Sequence, residues 1–354
     1  MDVFELLKTA NSMNASDLHL VVGSPPVVRI DGSLRTLSEM PVIISEDMEL
    51  VLNELASDKN KAIFYSNLEL DFGFVVPSVG RLRCNVAMQR GTVSLAIRIL
   101  PIEPPTIDNL NLPAIFKELA LNHRGFIVVS GPTGSGKTST LAAMINHINI
   151  MESRRVVTIE DPIEYTYTDI RSTITQRELR SDTHSFYDGL KHSLRQDPDV
   201  IMVGEMRDLE TASAVLTIAE TGHLVLTSGH APTAPRAIER IIDLFPPEER
   251  ELAQARLASM LIGVLCQQLI PTIDGRGRIP VVEIMLASQA VRNLIREGKI
   301  YLLRNTMRTS AQTGMQLFDS SLVNLYMKGT ISRDSLFAYC TNRDEVIKDI
   351  TRQR

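Results

Sequence analysis

A glycine-rich segment in the middle of the chain has the residue types and spacing of a phosphate-binding loop. Residues 131–138 read GPTGSGKT and match the pattern G-x-x-x-x-G-K-[ST] at every fixed position. Glycines let consecutive backbone N–H groups surround phosphate oxygens without a Cβ atom in the way. In this pattern Lys137 reaches the β- and γ-phosphates, and the Thr138 hydroxyl binds Mg²⁺. The expected nucleotide-binding residues are Gly131, Pro132, Thr133, Gly134, Ser135, Gly136, Lys137, Thr138 and Ser139.

The segments on either side of this loop are those that a phosphate-binding loop requires. The apolar run at residues 126–129 predicts a buried strand, and the residues from Thr140 onwards predict a helix. Phosphates would then lie at the positive end of the helix dipole. The alternative is a glycine-rich turn that matches the pattern by chance. The flanking strand and helix favour nucleotide binding over that alternative.

Acidic side chains follow two further apolar segments. Glu160 and Glu164 come after residues 156–159, and Glu205 comes after residues 200–203. In an open parallel sheet, groups at the carboxyl ends of the strands face the crevice in which ligands bind. Glu164 is therefore a candidate to polarise the attacking water, and Glu160 to help hold the metal or a basic partner. Glu205 is expected to help bind Mg²⁺ opposite the loop hydroxyl.

A third apolar segment, residues 224–227, has a histidine on each side. His230 comes after its carboxyl end, beside Ser228, and is a candidate to sense the γ-phosphate by hydrogen bonding. His223 comes before its amino end. Because a lone histidine is more often structural than catalytic, both roles stay open for His223.

Alternating polar and apolar residues predict a β-hairpin in the N-terminal part of the chain. The pattern runs through residues 80–89 and resumes through residues 92–99, and it places Arg81, Arg83 and Arg98 on the polar face. A solvated strand face is the ordinary interpretation of such arginines. The phosphate loop downstream favours a catalytic one, since arginines from a second domain or a neighbouring subunit often stabilise charge in phosphoryl transfer.

Length and composition indicate a globular protein of two or three domains. Lys and Arg number 37 against 42 Asp and Glu, so the net charge is −5 and nucleic acid is not favoured as the main partner. Three cysteines without a C-x-x-C pair are typical of a reducing cytoplasm and offer no zinc site. The sequence has no apolar run of bilayer length and no signal-peptide pattern. Association with a membrane would therefore require a partner protein.

A proline-dense stretch at residues 101–105 predicts a boundary between domains. We expect an N-terminal α+β domain in residues 1–100, a linker in 101–113, a core that carries the phosphate-binding loop in 114–285 and a helical C-terminal extension in 286–354. Within the first domain, Asp31 and Gly32 predict a tight hairpin turn. Near the end of the core, residues 247–269 predict one long helix, and a strand pair is expected near residues 279–286.

Motifs over nearly the whole chain resemble those of the type IV pilus retraction ATPases, the PilT-type branch of the secretion ATPase superfamily. They are SDLHL at 16–20, GRLRCNV at 80–86, GPTGSGKT at 131–138, TIEDPIEY at 158–165, LRQDPDVIMVGEMRDLET at 194–211 and TGHLVLTSGH at 221–230. The resemblance implies an α/β fold class: a small α+β, PAS-like domain, then a RecA-like P-loop ATPase domain with a helical C-terminal extension.

The same resemblance implies a function and roles for the residues. It implies a cytoplasmic, hexameric motor that hydrolyses ATP with Mg²⁺ and powers pilus retraction and twitching motility. The implied partners are an inner-membrane pilus platform protein, which would hold the ring at the membrane, and a second pilus ATPase, with no nucleic acid expected. In the resemblance, Lys137 and Thr138 bind phosphates and Mg²⁺, Glu164 activates the water, and Glu205 takes part in metal binding and hydrolysis. His223 and His230 form the histidine box. Arginines among Arg81, Arg83 and Arg98 contact nucleotide between domains of the ring.

Two local features concern the branch of the superfamily that the sequence resembles and the rate of ATP hydrolysis. Residues 290–299, AVRNLIREGK, resemble a helix that retraction members use for function beyond hydrolysis, and the four-cysteine zinc insertion of the assembly members is absent from this sequence. After His230, where the family usually has Thr-Asn-Ser, the chain has Ala-Pro-Thr-Ala-Pro. The prolines remove two N–H donors and stiffen the loop. A regulatory ring or accessory retraction ATPase with weak hydrolysis stays open as an alternative, as does a nucleic-acid motor on the same core.

Overall fold

The computed structural model describes residues 2–30, 32–77, 79–100, 103–275 and 277–353. The chain divides into two compact units. The first comprises Met1–Glu103 together with Pro162–Thr166, and the second comprises Pro104–Asp161 and Tyr167–Arg354. Three residues named in the sequence predictions, Asp31 of the hairpin turn and Pro101 and Ile102 of the linker, lie outside the described residues.

The first unit contains an antiparallel sheet of six strands and three helices. The strands are β1 (Asp17–Val21), β2 (Val27–Ile30), β3 (Ser33–Thr36), β4 (Glu69–Val76), β5 (Gly80–Gln89) and β6 (Thr92–Ile99), in the spatial order β3-β2-β1-β6-β5-β4. The helices are α1 (Val3–Ser12), α2 (Ser45–Leu55) and α3 (Asp58–Asn67). Their apolar residues form one core with the strands, in which Leu7, Leu18, Met48 and Phe64 are fully buried.

Strands β5 and β6 form the hairpin that the alternating pattern predicts. Arg83 lies directly opposite Arg98 in the antiparallel register, so both side chains are on the same face of the sheet. Leu82 and Cys84 are fully buried on the opposite face. The predicted separation of arginines from apolar residues is therefore confirmed.

The second unit contains a seven-stranded sheet whose interior strands are parallel. The strands are β7 (Gly125–Ser130), β8 (Arg155–Glu160), β9 (Thr173–Glu178), β10 (Val200–Val203), β11 (Leu224–Ser228), β12 (Leu261–Pro271) and β13 (Arg278–Leu286), in the order β13-β12-β7-β11-β10-β8-β9. Only the pairing of β13 with β12 is antiparallel among the described strands of this sheet.

Helices cover both faces of this sheet, as its continuous apolar strands require. The helices are α4 (Ile115–Ala120), α5 (Lys137–Met151), α6 (Phe186–Ser193), α7 (Leu209–Glu220), α8 (Ala234–Asp243), α9 (Arg250–Met260), α10 (Gln289–Arg296), α11 (Leu303–Thr309), α12 (Phe318–Met327), α13 (Arg333–Tyr339) and α14 (Arg343–Gln353). Ile127 and Val129 of β7 pack with α4 and α5, and Phe126 and Val128 pack with α6 to α9. Among the helices that the described ranges form, none has the length and apolar character to cross a bilayer.

The helix predicted for residues 247–269 is wrong in its second half. Helix α9 ends at Met260, and β12 begins at Leu261, where the strand pairs with β7 on one side and β13 on the other. Both faces of β12 are buried, so its apolar residues are consecutive and show no period that distinguishes a strand from a buried helix. Leu252, in the first turn of α9, is 63% exposed.

Candidate nucleotide-binding site

The phosphate loop connects the end of β7 to the start of α5 at the carboxyl edge of the parallel sheet. Gly131, directly after β7, has φ +147°, a conformation that residues with a side chain rarely adopt. A Cβ atom there would lie 2.2 Å from the backbone oxygen of Gln267. The first fixed glycine of the motif is therefore required by the path of the backbone itself.

The loop and the first turn of α5 have the donors that an anionic group needs. The residue before the helix is Gly136, which has no side chain that could cap the helix. The N–H groups of the first turn therefore point towards the loop without a side-chain acceptor from this position. Ser135 is 2% exposed, and its hydroxyl has no hydrogen-bond partner among the described residues. At Gly134 a Cβ atom would meet nothing within 4 Å, so there is room beside the backbone. These features fit phosphate oxygens.

Lys137 lies inside the curve of the loop. Its Nζ donates hydrogen bonds to the backbone oxygens of Gly131 at 2.9 Å and Pro132 at 3.1 Å. Burial lowers the pKa of Lys137 below its usual value, and the nearby carboxylate of Glu205 opposes that shift. The lysine is thus already positioned where it would meet the phosphates of a nucleotide.

Gln267 of β12 supports the loop from the sheet, and the sequence analysis missed it. Its Nε2 donates to the backbone oxygen of Ser135 at 2.7 Å, and its Oε1 accepts from the hydroxyl of Thr140 at 2.8 Å. The side chain is buried, so both bonds form away from water. The available signal was an amide within the apolar run of residues 261–270.

Glu205 and His230 follow neighbouring parallel strands, and the structure brings them together as their positions in the sequence predict. The Nε2 atom of His230 lies 3.7 Å from one carboxylate oxygen of Glu205. The other oxygen is 2.7 Å from Nε of Arg207, which lies in the motif at 194–211 but for which the sequence predicts no role. Strand β11, which leads to His230, also pairs with β7, which leads to the phosphate loop. A hydroxyl at Thr138 and a carboxylate at Glu205 are ligands of the kind that Mg²⁺ prefers.

Glu160 ends β8 and is held by neutral donors. Its Oε1 accepts from the hydroxyl of Thr158 at 2.6 Å and from Nε2 of Gln176 at 3.1 Å. The residue is 5% exposed. These bonds fix the carboxylate on the same edge of the sheet as Glu205, because β8 and β10 are parallel neighbours.

His223 lies at the other edge of the sheet from the phosphate loop. It precedes the amino end of β11, and its Nδ1 is 3.0 Å from the Thr221 hydroxyl and 3.1 Å from the backbone oxygen of Ile218. The length of β11 separates it from His230 by about 20 Å. Within one chain, therefore, the structure does not bring His223 to the loop, and its assignment to the histidine box remains a prediction from the resemblance.

Glu164 and the three arginines belong to the first unit. The segment Pro162–Thr166, which carries Glu164, is part of that unit, and Nε of Arg81 donates to the backbone oxygen of Ile163 at 3.1 Å. Gly73 makes room for this arginine, because a Cβ atom there would lie 3.0 Å from its Nη2. The structure therefore brings Arg81 to the segment with the predicted water-activating glutamate.

Arg83 and Arg98 stand beside acids of the neighbouring strands. Arg98 Nε is 3.0 Å from Asp17 on β1, and Arg83 Nη2 is 3.8 Å from Asp71 on β4. The Arg98 side chain is 60% exposed, and the Arg83 side chain is 40% exposed. Asp17 is largely buried, whereas Asp71 is half exposed, and both guanidinium groups themselves remain partly open to solvent.

Comparison with known proteins gives consistent similarity over both units. A family model described as type II/IV secretion system protein matches residues 94–332. The chain is 41% identical to the type IV pilus retraction ATPase PilT of Pseudomonas aeruginosa, over 95% of this chain and 97% of that protein. It is 37% identical to the type IV pilus ATPase PilU of the same organism, over 98% and 90% of the two chains.

A solved structure shows the same similarity in three dimensions. The crystal structure of the pilus retraction motor PilT with bound ADP matches this fold with a TM-score of 0.92 at 41% identity. The match covers 98% of this chain and 99% of that chain.

Proposed function

Since this chain belongs to the type II/IV secretion system protein family and to its PilT-type branch, we propose that it hydrolyses ATP and uses the energy to retract type IV pili. The observation that carries this proposal is the glycine-rich loop with Lys137, Glu205 and His230 gathered at one edge of the parallel sheet. ATP binding needs the loop, and hydrolysis needs the acidic and imidazole groups next to it.

ATP binds with its phosphates against residues 131–139. The N–H groups at the start of α5 donate to the phosphate oxygens, and Lys137 exchanges its bonds to the loop carbonyls for bonds to the β- and γ-phosphates. Gln267 keeps the loop in shape, because it holds the backbone at Ser135 from behind. Mg²⁺, held by Thr138 with Glu205 or Glu160, would neutralise charge on the phosphates.

Hydrolysis is in-line attack of a water on the γ-phosphorus. The bond between the γ-phosphorus and the bridging oxygen breaks, and ADP leaves. Glu164 would orient the water, and Glu205 and His230 would interact with the γ-phosphoryl group as it is transferred. Lys137 stabilises the charge that develops on the phosphoryl oxygens. Arg207 sets the position of the Glu205 carboxylate through their 2.7 Å ion pair.

Six copies form a ring, and arginines among Arg81, Arg83 and Arg98 reach the nucleotide of a neighbouring subunit. The exposed guanidinium groups on one face of the first unit support this role. Opening and closing around the nucleotide would convert each turnover into movement.

The ring works in the cytoplasm against an inner-membrane pilus platform protein, and a second pilus ATPase is a further partner. An accessory role alongside another ATPase is the second candidate function, and the chain is 37% identical to PilU, a protein named as a type IV pilus ATPase. The altered segment after His230 favours that candidate if turnover by the purified protein alone is slow.

Steady-state hydrolysis of MgATP by the purified full chain tests the proposal. Lys137→Ala should lower kcat by roughly a hundredfold or more, because the charge on the transferring group loses its fixed cation. The matched control is Lys191→Ala on α6, which removes an exposed lysine that lies over the ring of Tyr187. The control should keep the wild-type rate.

Deletion of the gene, with complementation by each variant, tests the cellular role. Retraction predicts excess pili and no twitching in the deletion strain and in the Lys137→Ala strain. Absence of MgATP binding by the wild-type protein would refute the enzymatic proposal, whereas hydrolysis with normal retraction in the deletion strain would refute only its cellular part.

A further inference from the structure

Glu283 is a buried acid in the middle of β13 to which the proposed reaction gives no role. It lies in an apolar strand, and the residue is only 5% exposed. Buried carboxylates are rarely kept without partners, because burial of a charged or polar group costs free energy unless it is hydrogen-bonded. The partners of Glu283 therefore indicate what it does.

The carboxylate of Glu283 caps one helix and lies beside the start of a second. Its Oε1 accepts from the N–H of Ala234, the first residue of α8, at 2.7 Å. Phe318, the first residue of α12, lines the same small cavity as Glu283, and its backbone N–H is one of the groups that lower the pKa of this carboxyl. Neither Thr233 nor Leu317, the residues at the two N-cap positions, supplies a side-chain cap of its own. One side chain thus provides the acceptor that the start of α8 would otherwise lack and lies next to the start of α12.

One of these helices leads directly to the nucleotide site. Helix α8 begins four residues after His230, and the intervening segment is tied to the sheet at both ends. The Ser130 hydroxyl donates to the backbone oxygen of Ala231 at 2.8 Å, and Ala234 donates to Glu283. Ser130, Cys266 and Glu283 are in register across β7, β12 and β13, and Ser130 immediately precedes the phosphate loop. This row of paired residues connects the end of β7 to Glu283.

The other helix leads into the C-terminal helices. Asp319, the second residue of α12, accepts from the N–H groups of Thr341 and Asn342 and from the Thr341 hydroxyl, just before α14. Arg304 of α11 lies 3.9 Å from Asp319. A cavity of about 110 Å³ lined in part by Glu283, Arg304 and Asp319 leaves room for these side chains to shift.

We infer that Glu283 is a positioning residue that couples the segment after His230 to the C-terminal helices α11, α12 and α14. When the histidine segment changes position with the state of the nucleotide, the start of α8 moves the Glu283 carboxylate, and the start of α12, which lines the same cavity, follows. The inference rests on the proposed function, since it requires a nucleotide at the loop.

Hydrogen exchange of the full chain with and without MgADP tests the coupling. In the wild-type protein, MgADP should slow exchange in the phosphate loop and change exchange at the starts of α8 and α12. In Glu283→Ala the response of the phosphate loop should remain, while the response of α12 should fall by roughly fivefold or more. Glu283→Gln, which keeps the shape and one acceptor oxygen, should give a smaller loss and decides the question if the alanine variant does not fold.

Val282→Ala is the matched control for a general loss of stability. Val282 precedes Glu283 on β13, is buried and packs in the apolar cluster on the other face of the sheet. The variant should unfold more easily but keep the response of α12 to MgADP. An unchanged α12 response in the Glu283 variants would overturn the coupling, whereas lack of any response of the wild-type phosphate loop would refute the proposed function itself.

Discussion

Gln267 links the phosphate loop to a strand more than a hundred residues away in the sequence. Both ends of its amide are used, one by the backbone of Ser135 and one by the hydroxyl of Thr140. Loss of the amide leaves a buried carbonyl and a buried hydroxyl without this partner. The exact path of the loop therefore depends on a residue outside the phosphate-binding motif.

Gln267→Ala should weaken ATP binding more than it impairs folding. We expect KM for ATP to rise by about tenfold, with a loss of roughly 1–3 kcal/mol in unfolding free energy. Steady-state kinetics and urea unfolding measure the two effects. The neighbouring Gln268→Ala, on the opposite face of the strand, should change KM less than twofold. Equal effects of the two substitutions would show that Gln267 does not support the loop.

The charge of Glu283 should make stability depend on pH. Burial raises the pKa of its carboxyl group above 4.5, with Asp319 adding to the shift and the N–H groups of Ala234 and Phe318 and the charge of Arg304 opposing it. The folded chain thus holds this proton more tightly than the unfolded chain, and ionisation costs folding free energy as the pH rises through the raised pKa.

Glu283→Gln cannot ionise and escapes this cost. Its unfolding free energy should therefore increase relative to that of the wild type as the pH rises from about 4 to about 8. Urea unfolding at several pH values measures the difference. If the difference in unfolding free energy between Glu283→Gln and the wild type stays constant or falls as the pH rises, the raised pKa of Glu283 is contradicted.

At the scale of elements, Asp319 holds the last helix in place. Its carboxylate accepts three hydrogen bonds from Thr341 and Asn342 at the start of α14, and it is 4% exposed. Asp319→Ala should lower the unfolding free energy by roughly 2–4 kcal/mol and speed hydrogen exchange in α14. Asp344→Ala, which removes an exposed acid from the first turn of α14, should change the stability far less. Similar losses in both variants would argue against a capping role for Asp319.

Elements with local signals could be predicted from the sequence, and those defined by distant pairing could not. The phosphate loop and the β5–β6 hairpin follow from neighbouring residues, because glycine spacing and alternation act over a few positions. The sequence of β12 predicts part of a helix, because both faces of the strand are buried and its apolar residues do not alternate. The strand pairs with β7 on one side and β13 on the other. Its strand character is set by those partners.

The same distinction applies to the candidate site. Glu205 and His230 could be placed together in advance, since both follow strands of one parallel sheet. Gln267 reaches the loop only because β12 pairs with β7, and the sequence contains no short-range mark of that pairing. Arg207 lies two residues from Glu205, but the turn that brings its guanidinium group back to the carboxylate is not visible in residue types alone.

At the scale of the whole molecule, the charge balance bears on the class of motor. The chain carries a net charge of −5, which does not favour binding to the phosphate backbone of a nucleic acid. We expect double-stranded DNA to change the MgATP hydrolysis rate of the full chain less than about twofold at low salt. Salt-sensitive stimulation by DNA of several-fold or more would favour the nucleic-acid motor instead.

The five residues Pro162–Thr166 have a consequence for how this protein can be divided. The backbone leaves one unit for the other after Glu103, after Asp161 and again after Thr166. A fragment that starts at Pro104 carries these five residues without the arginine that binds the carbonyl of Ile163. A single crossover point in the sequence cannot exchange the first unit whole, so a domain swap between relatives must replace both stretches together.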